Sequence, residues 1–255
     1  MIGAIIGDIA GSRFEFNNTS DYDFEMFTPA CGFTDDTICT VGVADAILRK
    51  ETYMDSVHRW CRRYPNPMGA YGSSFASWVR SGNPQPYGSF GNGAAMRVAP
   101  IAWAFDDEAE VVREAEASAA ISHNHPEGLK GAAAVALGIL RLRQQSAPVE
   151  EIADGVMNAY YGADWEKHLV PEGLFDVTCQ GCVPLAFHIL KCATDFEDAV
   201  RKAVAYGGDS DTLGAIVGSL AEGRWRIPAA IVEKALTYLP DEMKDVVKQF
   251  DETFR

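Results

Sequence analysis

The sequence predicts an all-α protein folded as one domain, and three observations predict it. Nine segments have the length and the 3.6-residue period of amphipathic helices. No run alternates Val, Ile or Thr with polar residues as a half-buried strand does. The breaks between the periodic segments are short, polar and marked by Gly or Pro, with no interdomain linker, repeat or low-complexity tract, so residues 1–255 read as one domain. Taken in order, the opening Ile2-Gly3-Ala4-Ile5-Ile6-Gly7-Asp8 is an apolar run soon broken by an acid, shorter than the roughly 7–15 residues of a signal-peptide core and without a basic residue before it. The helical text starts at about Asp35, where Ile38, Val41, Ile47 and Leu48 follow one another at helical intervals. It continues through Asp107–Ile121, rich in Ala, Glu and Val, and the Ala/Leu-rich Gly128–Gln145. Glu150–Tyr161, Val183–Cys192, Phe196–Tyr206, Thr212–Glu222, Ala229–Leu239 and Glu242–Phe250 complete the set. In Thr212–Glu222, Leu213, Ile216, Val217 and Leu220 share one face, while Gly214, Ala215, Gly218 and Ser219 are small enough for a neighbouring helix to approach closely. Two longer stretches, Gly11–Phe33 and Tyr64–Gly93, read as irregular, and long loops in a compact helical protein often carry function.

The 255 residues are near the upper limit for one core. A content of 47% hydrophobic and 23% charged residues excludes a disordered chain, a collagen and a disulfide miniprotein. With 22 Lys and Arg against 36 Asp and Glu, the net charge of −14 argues against general nucleic-acid binding and against an anionic membrane surface. No stretch approaches the roughly 18 apolar residues of a membrane span, and the expected compartment is the cytoplasm. The six cysteines are therefore expected to be reduced. Cys179-Gln180-Gly181-Cys182 is a lone CxxC; half a zinc site or a redox pair would be the functional readings, but no second pair of ligands accompanies it, and packing near a helix start is expected.

Five segments carry chemistry. Phe33-Thr34-Asp35-Asp36-Thr37 places Thr34 at an N-cap and two acids in a first turn, which capping and the helix dipole alone would explain. Gly207-Gly208-Asp209-Ser210-Asp211-Thr212 repeats the arrangement and offers two carboxylates and a hydroxyl within a turn, a set of hard oxygen ligands for Mg²⁺ or Mn²⁺. Two such helix starts facing each other could hold a two-metal centre, because divalent ions remove the repulsion of four clustered carboxylates. Tyr87-Gly88-Ser89-Phe90-Gly91-Asn92-Gly93, leading on to Met96-Arg97, has glycines that let amides approach a phosphate, or simply form a tight turn. Glu15 follows Gly7-Asp8-Ile9-Ala10-Gly11 in an irregular region, and His123 of Ser122-His123-Asn124-His125-Pro126 stands at a helix end, where capping is the plainer role.

In this order the five segments resemble the ADP-ribosylglycohydrolase family, over most of the chain. The resemblance implies a single compact multi-helix domain with a dimetal cleft holding two divalent cations, Mg²⁺ or Mn²⁺. It implies Thr34, Asp35, Asp36, Asp209, Asp211 and Thr212 as metal ligands, and Glu15 on a segment over the metals. It implies Ser89, Phe90, Gly91, Asn92, Gly93, Met96 and His123 around the diphosphate and distal ribose. The implied reaction is hydrolysis at C1″ of an ADP-ribosylated substrate such as an ADP-ribosylated protein, at arginine or another modified side chain, with Glu15 and Asp35 as the catalytic carboxylates. Alternatives of other classes are a dimetal hydrolase of O-acetyl-ADP-ribose or a nucleoside diphosphate sugar, and a non-catalytic ADP-ribose-binding protein. Phe90 departs from the family in standing where a Tyr is common, so a hydroxyl is absent there. Neither the aglycone nor an oligomeric state follows from the sequence.

Overall fold

A computed structural model describes residues 1–254, and among them the chain is all helical apart from its loops. Thirteen α-helices follow one another: α1 (Ile2–Gly11), α2 (Asp35–Arg49), α3 (Tyr53–Arg63), α4 (Ser73–Arg80), α5 (Ala99–Ala104), α6 (Glu108–Ala120), α7 (Pro126–Gln144), α8 (Val149–Tyr161), α9 (Cys179–Lys191), α10 (Phe196–Tyr206), α11 (Ser210–Arg224), α12 (Ala229–Leu236) and α13 (Asp241–Phe254). The only pairing of extended backbone among these residues is an isolated bridge between Gly91 and Thr178. One hydrophobic core runs through the whole set, from Ile5 and Ile9 of α1 to Phe250 of α13.

Helices α2, α3, α6, α9 and α10 begin as their sequences dictate. Thr34, Thr52, Asp107, Thr178 and Asp195 each accept a bond from a first-turn amide. The CxxC cysteines lie in the first turn of α9, four residues ahead of the expected start, and both thiols are buried and free.

The centre of the fold is a pair that periodicity does not announce. Helix α1 has three glycines and five residues of Ile or Met nearby, a poor intrinsic helix former without a side-chain cap. It exists because Gly3, Gly7 and Gly11 recur every four residues and lie against Gly218, Gly214 and Ser210 of α11. The two helices run antiparallel with backbones in contact; a Cβ on Gly7 would collide with the Gly214 carbonyl. This close approach brings the C-terminal end of α1, with Asp8, beside the N-terminal turn of α11, with Asp211.

The stretch expected to be irregular over Tyr64–Gly93 is corrected in part: it contains α4, which buries Phe75, Trp78 and Val79. Prolines and glycines flank these eight residues and read as loop, but Trp78 anchors them by donating from Nε1 to the Ile121 carbonyl at 3.1 Å. Gly11–Phe33 has only the single 3₁₀ turn Ser12–Phe14 and is otherwise irregular, as expected. None of the described helices is long and apolar enough to cross a membrane.

Candidate active site

Three helix ends converge at the head of α1 and α11. Asp8 is fully buried, and its carboxylate accepts from the Thr34 amide (3.0 Å), the Thr34 hydroxyl (2.8 Å), the Thr37 amide (3.0 Å) and the Thr37 hydroxyl, so α1 closes the N-terminus of α2. Burial outweighs these bonds and pushes the Asp8 carboxyl up to about 6. Thr34 is the N-cap of α2 as expected, taking a bond from the Asp36 amide, while Thr212 donates to Asp36 across to α11 at 3.1 Å. One oxygen each of Asp8, Asp36 and Asp211 fall within 4.8 Å of one another, and so do oxygens of Glu15, Asp209 and Asp211. Asp211 belongs to both groups.

Asp36 Oδ1, Asp211 Oδ1 and Glu15 Oε2 are buried carboxylate oxygens with no hydrogen-bond partner among the described residues. Burial first, then neighbouring carboxylates, holds Asp36 and Asp211 well above the usual carboxylate range. Burial first, with Asp209 and Asp8 adding to it, takes Glu15 to about 7. Asp35 is half-buried at the cleft and is likewise raised, by burial and then by Cys39 and Asp8. Orphaned oxygens arranged this way fit hard divalent cations, which would replace the missing partners and restore ionisation. Asp209 stands at the N-cap position of α11, but its side chain makes no capping bond; it accepts instead from Asn92 Nδ2 at 2.6 Å.

Beside these carboxylates opens a cleft of about 380 Å³. Asp35, Asp209, Asp211 and Thr212 line it from the acidic helix starts, Glu15 from the segment after α1, and Asn92, Gly93, Met96, Arg97 and His123 from the glycine loop and the α6–α7 junction. Ser89, Phe90 and Gly91 are not in its lining. Ser89 Oγ accepts the Gly91 amide at 3.1 Å, and Phe90 is exposed, its ring 5.2 Å from that of His125. Three of the amides expected to meet an anion are committed within the protein: Gly91 as above, Gly88 to Asn124 Oδ1 (2.7 Å) and Asn92 to the Val177 carbonyl (2.7 Å). The glycines here serve the turn and the bridge to Thr178. His123 does not cap a helix with its side chain; it is buried, with Nδ1 2.7 Å from Ser122 Oγ.

Sequence reasoning missed several neighbours. Asp8 is one of them, and its only signal is that it is the one acid in an otherwise apolar run. The aromatic residues of the cleft gave none: Tyr71 and Phe75 come from the segment read as loop, and Phe16 and Phe175 stack across two loops with ring centroids 6.0 Å apart. Gly69 closes over Glu15 in the left-handed region (φ 77°), where a Cβ would strike the Glu15 carboxylate.

The model of the ADP-ribosylglycohydrolase family matches residues 1–254. The chain belongs to that family. An uncharacterized protein of Archaeoglobus fulgidus is 30% identical over 217 residues, 74% of this chain and 70% of its own length. The Rhodospirillum rubrum ADP-ribosyl-[dinitrogen reductase] glycohydrolase is 26% identical over 248 residues, covering 87% of this chain and 82% of that one. Human ADP-ribosylhydrolase ARH3 is 29% identical over 181 residues, and the match spans 50% of its length and 58% of this chain. A solved structure described as an ADP-ribosylglycohydrolase-related protein complex superimposes with a TM-score of 0.76 over 100% of this chain at 23% identity, a likeness of fold.

Proposed function

We propose that this glycohydrolase-family chain hydrolyses the C1″ bond of an ADP-ribosylated substrate, arginine or another side chain, and releases ADP-ribose. The observation that carries the reading is the group of orphaned carboxylate oxygens on Asp36, Asp211 and Glu15 at the edge of a cleft. Thr34, Asp35, Asp36, Asp209, Asp211 and Thr212 would hold two divalent cations, with the Asp8 and Glu15 carboxylates that cluster beside them joining in. Bound there, Mg²⁺ or Mn²⁺ would supply Lewis acidity to the ribose hydroxyls and neutralise the cluster.

The protein's own groups supply the proton chemistry. A water attacks C1″ and forms a C–O bond as the bond to the aglycone breaks; one carboxylate takes the water proton and an acid returns one to the leaving group. Glu15 and Asp35 are the two carboxylates assigned to this work. Burial and the neighbouring acids hold Glu15 near 7 while the site lacks cations, and beside bound cations it would ionise. Asn92 orients Asp209, and the rings of Phe16, Phe75 and Phe175 keep part of the cleft apolar.

The test is a panel of arginine-, serine-, ester- and base-linked ADP-ribose substrates with Mg²⁺ and with Mn²⁺. Free ADP-ribose as product supports glycosidic cleavage. Release of AMP, or full activity of Asp209→Ala with and without metal, would sink the proposal.

A further inference from the structure

The Arg97 side chain is fully buried, yet none of its bonds among the described residues goes to a carboxylate. Its Nη2 donates to the Ser118 carbonyl (3.0 Å), the Ala119 carbonyl (3.3 Å) and Ser122 Oγ (3.0 Å). Placing a lone cation in the interior is costly, so its position calls for a reason beyond closing the α6 terminus. Ser122 Oγ is in turn 2.7 Å from His123 Nδ1. The imidazole is held between the rings of Phe75 and Tyr87, with centroids 6.2 Å and 6.0 Å away. Its Nε2 lies over the glycine loop: a Cβ would come within 3.0 Å of it at Gly93 and 3.4 Å at Gly91. Among the described residues Nε2 makes no hydrogen bond, and His123 lines the cleft.

We infer that Arg97 and Ser122 are positioning residues that lock His123 in one tautomer, with its proton on Nε2 and facing the cleft as a hydrogen-bond donor to an oxygen of the ligand. A guanidinium only donates, so Ser122 Oγ must accept from Arg97. The single Ser122 hydroxyl proton then goes to the nearest acceptor, His123 Nδ1. The reverse arrangement, Nδ1–H donating to Ser122, would leave the hydroxyl proton buried without an acceptor. Burial, with the Arg97 charge adding to it, holds the imidazole well below its ordinary range, so it stays neutral and has one proton to place. The lock also bears on the loop. Because the Gly88, Gly91 and Asn92 amides are spent inside the protein, a side-chain donor here would add to the amides that the loop has left. The ligand half of this inference rests on the cleft being an ADP-ribose site; the tautomer half stands on the geometry alone.

Nitrogen-15 NMR of the full chain with labelled histidine tests both halves, together with calorimetric titration of ADP-ribose. In the unmodified protein at about pH 6 the expected spectrum shows His123 with a bare Nδ1 and a protonated Nε2. Ser122→Ala should release the lock, giving a tautomer mixture and about tenfold weaker ADP-ribose binding, the size of one lost buried hydrogen bond. Ser122→Thr, which keeps the hydroxyl, should restore both readings. Arg97→Met should mix the tautomers as well; if that variant does not fold, the Ser122 pair still decides. A protonated Nδ1 in the unmodified protein, or a tautomer unchanged in Ser122→Ala, overturns the inference. Failure of the unmodified protein to bind ADP-ribose would count against the proposed function and against the ligand half, while the spectra judge the lock on their own.

Discussion

Two regions line the same cleft and solve opposite electrostatic problems. At the helix starts of α2 and α11, with Asp8 from α1, carboxylates are crowded, buried and short of partners. At the α6–α7 junction a buried guanidinium has no ion-pair partner among the described residues and spends its bonds on carbonyls and a serine. The first region offers a place that cations would relieve; the second turns a side-chain donor toward the cleft. The contrast teaches that a protein of net charge −14 can still turn hydrogen-bond donors toward part of a cleft, because the local sign is set by a few buried groups and not by the total.

The largest effect should come from breaking the acidic region. Asp36→Ala or Asp211→Ala is expected to lower kcat/KM on the order of 10³-fold, since a metal centre contributes several kcal/mol and each 1.36 kcal/mol is tenfold. Steady-state assays at saturating Mg²⁺ and Mn²⁺ check it, with circular dichroism to confirm folding.

Next comes the packing that assembles the region. Gly7→Ala forces a Cβ into the Gly214 carbonyl of α11 and is expected to destabilise by about 3 kcal/mol, read as a shift in the urea midpoint. Gly155→Ala is the control within the same chain, because a Cβ there meets nothing within 4 Å; it should leave stability unchanged or slightly raised.

The charge problem itself predicts a pH dependence. Asp8 moves from 3.8 to about 6 and Glu15 from 4.5 to about 7 on folding, both through burial first, so the folded state binds protons more tightly than the unfolded state. Stability of chelator-treated protein should therefore fall as pH rises from about 4 to 7, with the full penalty present above that window. Melting of the chelated protein at about pH 5.5 should occur at higher temperature than at about pH 8, and added Mg²⁺ or Mn²⁺ should remove most of the difference. Equal melting temperatures at the two pH values without metal would mean that the acids carry no such strain.

The smallest effect is at the rim. Phe16 is 74% exposed and stacks on Phe175, so Phe16→Ala should change stability by less than about 0.5 kcal/mol. Any consequence should appear in KM instead of in the melting temperature.

Much of this was legible in one dimension. Capping residues with acids in the first turn mark the starts of α2 and α11, and helical period marks most of the later helices, because both signals are local in the chain. Helix α1 was not legible: its glycines argue against a helix until α11 lies against them, and α4 was hidden among prolines and glycines. Asp8 went unassigned for the same reason, since an acid in an apolar run has no evident partner until α2 folds onto it.

By itself, then, the sequence determined the helical class, the positions of the acidic helix starts and the family. Those properties depend on period, caps and short motifs, which need no partner. Only the tertiary structure decided which carboxylates meet, that Asp8 joins them, and that the glycine loop has already spent three of its amides. These depend on contacts between residues as far apart as Asp8 and Asp211, and no local rule of chain conformation carries that information.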